Sequence, residues 1–140
     1  MKMRMTLAVL LVSAVLSGIG QAEVVQEVHF AKGSNSALTE NSVIRGERDQ
    51  YSLTATAGQK MEVDITAVEK NAAFVIYQPG YRVGKDRDGF LEIKGATLKG
   101  AGEFDDATAW KGLLPSSGKY LIVVGGTRGN ASYKLKIEIH

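Results

Sequence analysis

The chain has 140 residues, with 17 basic and 15 acidic side chains, two histidines and no cysteine. The missing cysteine excludes disulfides, thiolate metal sites, thiol catalysis and a lipid anchor on sulfur, so the fold has to stand on its hydrophobic core. Taking Lys2 and Arg4 away with an N-terminal export segment leaves 15 basic against 15 acidic residues, which is no whole-surface field for nucleic acid or an anionic membrane.

In chain order, "MKMRMTLAVLLVSAVLSGIGQA" comes first, with Lys2 and Arg4 ahead of an apolar run from Leu7 to Leu16 and small residues at Gly20 and Ala22. The pattern predicts a signal peptide over residues 1–22, cleaved after Ala22. Its apolar run falls short of the roughly 20 residues a membrane span needs. Residues 23–140 then form a single exported domain, large enough to bury a core.

Strands are predicted over Val24–Phe30, Ser42–Ile44, Tyr51–Ala55, Lys60–Val68, Ala72–Tyr77, Tyr120–Val124 and Ser132–His140. The clearest alternate strictly: Met61, Val63, Ile65 and Ala67 share one face of their strand, as do Tyr133, Leu135, Ile137 and Ile139. Turn chemistry separates the runs, at Lys32-Gly33-Ser34-Asn35, Arg45-Gly46, Ala57-Gly58, Pro79-Gly80, Ser117-Gly118 and Gly129-Asn130. Residues 79–106 read as one long loop excursion, and Phe104–Leu114 as a brief helical turn or a strand. The fold class is all-β, an antiparallel β-sandwich of about seven to eight strands.

Catalytic and metal constellations are missing from this pattern. His29 and His140 stand at no metal-ligand spacing, and no cofactor motif is present. Asp86, Asp88 and Glu92 echo a calcium loop but lack its third acidic position and flanking helices. Glu103, Asp105 and Asp106 read as solvated acids, and "GGTRGN" lacks the ending and following helix of a phosphate loop. The segment "LLPSSGKYLIVVGGTRGN" leaves two readings open. Ser116-Ser117-Gly118 is either an ordinary hairpin corner or a contact loop presented on a rigid strand. A serine nucleophile would need a base beside it, and neither the histidines nor Lys119 is fixed there.

Four blocks, "VHFAKGSNSA", "TAGQKMEVDI", "LPSSGKY" and "TRGNASYKLKI", resemble in order and spacing the bacterial periplasmic lysozyme inhibitors. The resemblance is strongest to the branch acting on invertebrate-type (i-type) lysozymes, with the goose-type (g-type) branch next. It implies a β-sandwich, a periplasmic location, lysozyme as partner, a homodimer and no enzymatic activity. The family's Ser-Gly-x-Tyr motif falls on Ser117, Gly118, Lys119 and Tyr120, which favours the contact loop. By that resemblance Ser117 hydrogen-bonds to the catalytic carboxyls of a lysozyme cleft, Gly118 makes the turn, and Tyr120 supports the loop or reaches the enzyme. Arg128, Tyr81 and Arg82 are further lysozyme-binding candidates. The alternative is an exported carbohydrate-binding module using Tyr81 and Trp110 as sugar platforms.

Overall fold

The computed structural model describes residues 23–140, so the expected signal peptide lies outside the described residues. Ten strands follow one another: β1 (Val25–Glu27), β2 (Ser36–Val43), β3 (Arg48–Ala55), β4 (Lys60–Ala67), β5 (Ala72–Tyr77), β6 (Arg82–Lys85), β7 (Leu91–Lys94), β8 (Ala109–Leu113), β9 (Gly118–Gly126) and β10 (Ala131–Ile139). Among the described residues no helix is long and apolar enough to cross a membrane.

Two four-stranded sheets make the sandwich. Sheet A has the order β1-β3-β9-β5 and sheet B the order β2-β10-β4-β8, while β6 and β7 pair by themselves. The alternating strands explain the register. Leu135 stands opposite Ile65 and Ile137 opposite Val63, so a single inward face of sheet B carries the apolar side chains. Across the sandwich they meet Tyr51, Leu53, Phe74, Ile76, Tyr120 and Ile122 of sheet A. Each such side chain contributes about 1.5–3 kcal/mol on burial, which replaces the missing disulfides.

The excursion is more ordered than its composition predicts. β6 and β7 form an antiparallel hairpin whose Leu91 and Ile93 pack, with Tyr81, on Tyr77, Leu121 and Val123 on the outer face of sheet A. β9 is therefore covered on both sides, which is why "LIVV" runs apolar without alternating. Within Phe104–Leu114, Ala109–Leu113 forms the strand β8, and Phe104 lies in a turn before it. The expected first strand shrinks to β1, the one parallel partner in the sandwich, and His29 lies beyond it, exposed. β2 extends back to Ser36, because Ala37, Thr39 and Asn41 turn inward at the sheet edge without being apolar enough to announce a strand.

One polar chain bridges the sheets. Asp49, 1% exposed, accepts hydrogen bonds from the Val24 amide at 2.9 Å and the Tyr133 hydroxyl at 2.6 Å. Tyr51 lies 2.6 Å from the Tyr133 hydroxyl and accepts from Asn41 at 3.0 Å. With Tyr133 donating to the carboxylate, Tyr51 must donate to Tyr133, so every group has its partner. Burial raises the pKa of both tyrosines.

Candidate functional site: the Ser116–Gly118 arch

β8 belongs to sheet B and β9 to sheet A. The segment joining them is thus an arch between the sheets and not the hairpin corner that turn composition alone suggests. Its first residue, Leu114, is 2% exposed and plugs the end of the core. The Leu114 amide donates to the Gln59 carbonyl at 2.8 Å, and its carbonyl accepts from the Gly58 amide at 2.9 Å, so the arch is bonded to the β3–β4 turn.

Two side chains fix the rest. Tyr120 is fully buried and its hydroxyl donates to the Ser116 carbonyl at 2.6 Å while accepting from the Ser116 amide at 3.2 Å. Of the two roles open to this hydroxyl, it takes the loop backbone. Ser117 Oγ accepts from the Ala57 amide at 2.8 Å. Gly118 has φ of +140°, and a Cβ there would lie 2.9 Å from Pro79 Cβ. Only glycine lets the chain turn into β9 so close to another segment.

These bonds leave the Ser117 hydroxyl at the surface. A serine hydroxyl has one proton and two lone pairs. In exposed Ser117 one lone pair is taken by Ala57, and no acceptor among the described residues takes the proton. Such a group suits an acceptor-only partner, an ionised carboxylate above all. Among the described residues no histidine, lysine or carboxylate hydrogen-bonds to Ser117, so nothing there activates it as a nucleophile. A concavity of about 600 Å³ lies elsewhere, on the outer face of sheet B between Glu40, Ser42, Thr66, Val68 and Lys134.

The other candidates divide between the two ends of the sandwich. Pro79, at the start of the excursion, lies beside Gly118; Tyr81, half-buried, and Arg82, exposed, follow it in the chain. Tyr81 has its ring in the cluster under the hairpin, and burial raises its pKa. Arg128 sits beyond the far end of β9, whose nine residues span about 26 Å at roughly 3.3 Å per step. Its Nη2 donates to the Glu69 carbonyl at 2.6 Å, so the structure does not bring it to the arch. Trp110 is half-buried, packs partly against the core and donates from Nε1 to the Lys99 carbonyl at 2.9 Å.

The acidic loop residues cap turns. Asp86 Oδ1 accepts from the amides of Asp88 and Phe90 at 2.8 and 3.0 Å, and Asp105 Oδ2 accepts from the Gly102 amide at 2.7 Å. Glu103 accepts from the Tyr77 hydroxyl at 2.7 Å. Burial, with this bond second, pushes Tyr77 up to about 12. Sequence reasoning missed Ala57 and Pro79, the two residues that set the arch; as an ordinary turn alanine and a loop proline, they carried no signal.

No family model matches the chain, and no curated protein matches it by sequence. Solved structures do. PliG of Aeromonas hydrophila, a periplasmic lysozyme inhibitor of g-type lysozyme, is 31% identical with a TM-score of 0.62, covering 84% of this chain and 96% of its own. A mutant of PliG from Escherichia coli is 25% identical with a TM-score of 0.60, covering 85% of this chain and 100% of its own. PliG of Salmonella Typhimurium is 25% identical with a TM-score of 0.59 and the same coverage of each chain. All three are inhibitors of g-type lysozyme, so the expected order of branches, i-type first, finds no support among them. Identity and fold agree over the same length, and the chain belongs to the family of periplasmic lysozyme inhibitors, which are not enzymes.

Proposed function

We propose that this protein inhibits lysozyme in the periplasm by inserting the Ser116–Gly118 arch into the enzyme's cleft, shielding peptidoglycan. The observation that carries the reading is Ser117 itself, an exposed hydroxyl whose oxygen is held by Ala57 and whose proton has no acceptor among the described residues. A lysozyme cleft holds two carboxyl groups about the glycosidic bond, one protonated and one ionised. Ser117 donates to the ionised one, and the charge on the acceptor strengthens the bond. Tyr120 acts from behind by holding Ser116, so little loop entropy is lost on docking.

The relatives favour g-type lysozyme as the first target, with i-type second. Tyr81 and Arg82, two and three residues after Pro79, widen the contact, and Arg128 stays outside it. The export and homodimer readings rest on the N-terminal pattern and the family resemblance. The purified protein checks both, by an intact mass starting at Glu23 and by a two-chain mass in light scattering; a start at Met1 or a single-chain mass would refute them.

The decisive experiment is bacterial cell-wall lysis by g-, i- and chicken-type lysozymes with and without the protein. Inhibition of the g-type enzyme is expected, and binding to purified peptidoglycan without any effect on lysis would favour the carbohydrate module. Ser117→Ala should lose roughly 1.5–3 kcal/mol of binding, on the order of tenfold to a hundredfold in affinity. Ser116→Ala should lose less. Equal, negligible losses would return Ser117 to a plain structural corner.

A further inference from the structure

The outer face of sheet B carries a cluster that the sequence gives no reason to connect. In the β4–β10 register Glu62 stands directly opposite Glu138, an arrangement of like charges that disfavours the pairing unless something positive lies between them. His140 follows Glu138 by two residues, on the same face. Its Nε2 lies 3.7 Å from Glu138 Oε1 and 4.0 Å from Glu62 Oε2. We propose that Glu62, Glu138 and His140 form a binding site for a divalent transition-metal cation.

Three features support a built site. One donor atom from each residue lies within 4.8 Å of the others. An ion bound at about 2.0–2.2 Å from each would hold them roughly 3.4 Å apart, so small side-chain rotations close the set. The frame is fixed by backbone pairing of His140 with Lys60 in both directions, at 2.9 and 3.1 Å. The imidazole is also held from its far side, with Asn35 Nδ2 3.1 Å from Nδ1. In the metal-bound form Nδ1 keeps its proton, and a flip of the Asn35 amide presents its oxygen, the outer partner a metal-ligating histidine uses.

The charge balance also leaves room for a cation. Lys136 lies 3.2 Å from Glu138 Oε2, which leaves Oε1 on the His140 side, 3.7 Å from Nε2. Lys111 stands opposite Glu62 on β8, but among the described residues only His140 lies within ion-pair distance of Glu62. One imidazole with two carboxylates suits a borderline ion such as Zn²⁺, with solvent completing the coordination. The site would clamp β10 to β4 just after the turn to which the arch is bonded.

Zn²⁺ alone is the probe, titrated by calorimetry into the untagged, chelator-treated protein. A single saturable site per chain is expected, weakened at least tenfold by His140→Ala and by Glu62→Gln, with the His140 imidazole resonances shifting on binding. His29→Ala is the control, because His29 also lies 3.7 Å from a carboxylate, that of Glu27, and its loss should change nothing. No saturable binding would overturn the proposal. So would binding that survives both His140→Ala and Glu62→Gln, or binding that is lost with His29→Ala. Glu62→Gln changes a partly exposed surface group isosterically, so a melting curve matching the parent keeps the result a reading of the site.

Discussion

The two ends of β9 are built from the same turn vocabulary, with opposite results. At the arch end, Tyr120 and the β3–β4 turn hold the backbone of Leu114 and Ser116, and exposed Ser117 has no acceptor for its proton among the described residues. At the far end, Asn71 Nδ2 donates to the carbonyls of Arg128 and Asn130, and Arg128 itself is tied to Glu69. There the polar side chains hold the turn together. A charged residue on a Gly-rich turn is thus no better a contact candidate than a serine. What separates the two is position, since Arg128 lies beyond the opposite end of β9 from the arch.

The largest effect should come from Gly118→Val, which forces a β-branched residue into a positive φ and drives its Cβ against Pro79. Backbone strain of this kind costs roughly 1–3 kcal/mol before the collision is added. Urea unfolding should show the loss, and inhibition should fall further than for Ser117→Ala. A variant of parental stability and potency would break the account of the arch.

At the far half of the core, Tyr133→Phe leaves one oxygen of buried Asp49 without its donor, and about 1–3 kcal/mol of stability should go while inhibition stays. Alkaline pH probes the same tyrosines. Tyr77 is raised from 10.0 to about 12, and Tyr51 and Tyr133 are raised as well. Above pH 10 the unfolded chain gives up these protons while the folded one keeps them. The stability they contribute is therefore full below pH 10 and falls as pH rises toward 12. Melting temperatures across that window check the sign; a flat profile would contradict it.

Two smaller changes sharpen the contrast. Tyr120→Phe removes the hydroxyl that holds Ser116, for about 1 kcal/mol of stability and a loss of inhibition smaller than that of Ser117→Ala. Arg128→Ala should stay within about 0.5 kcal/mol and leave inhibition unchanged, and a drop comparable to Ser117→Ala would bring that distant turn into the interface.

Much of the sandwich was legible because burial on one face imposes a period of two. β4 and β10 read almost residue for residue, and Ala72–Tyr77 was placed as it stands. β2 was largely missed because an edge strand with Thr39 and Asn41 inward has little apolar contrast. The β6–β7 hairpin was missed because its partner is the outer face of another sheet, which no local pattern announces. The Ser-Gly-x-Tyr motif marked the arch in the sequence, whereas its supports carry no local signal: Ala57 lies 60 residues before Ser117, and Pro79 follows β5, the strand next to β9 in the same sheet.

The sequence by itself determined the all-β class, the inward faces of the central strands and the glycine needed at the start of β9, since these follow from periodicity and local backbone sterics. Only the tertiary structure decided that the Ser-Gly corner is an arch between sheets, that Tyr120 faces inward to hold it, and that Arg128 lies at the other end of the strand. It also brought His140 to Glu62 and Glu138, although no spacing along the chain suggests a metal site. Contacts between sheets and across strands depend on register and packing, which arise from the whole core together and leave no mark in any single segment.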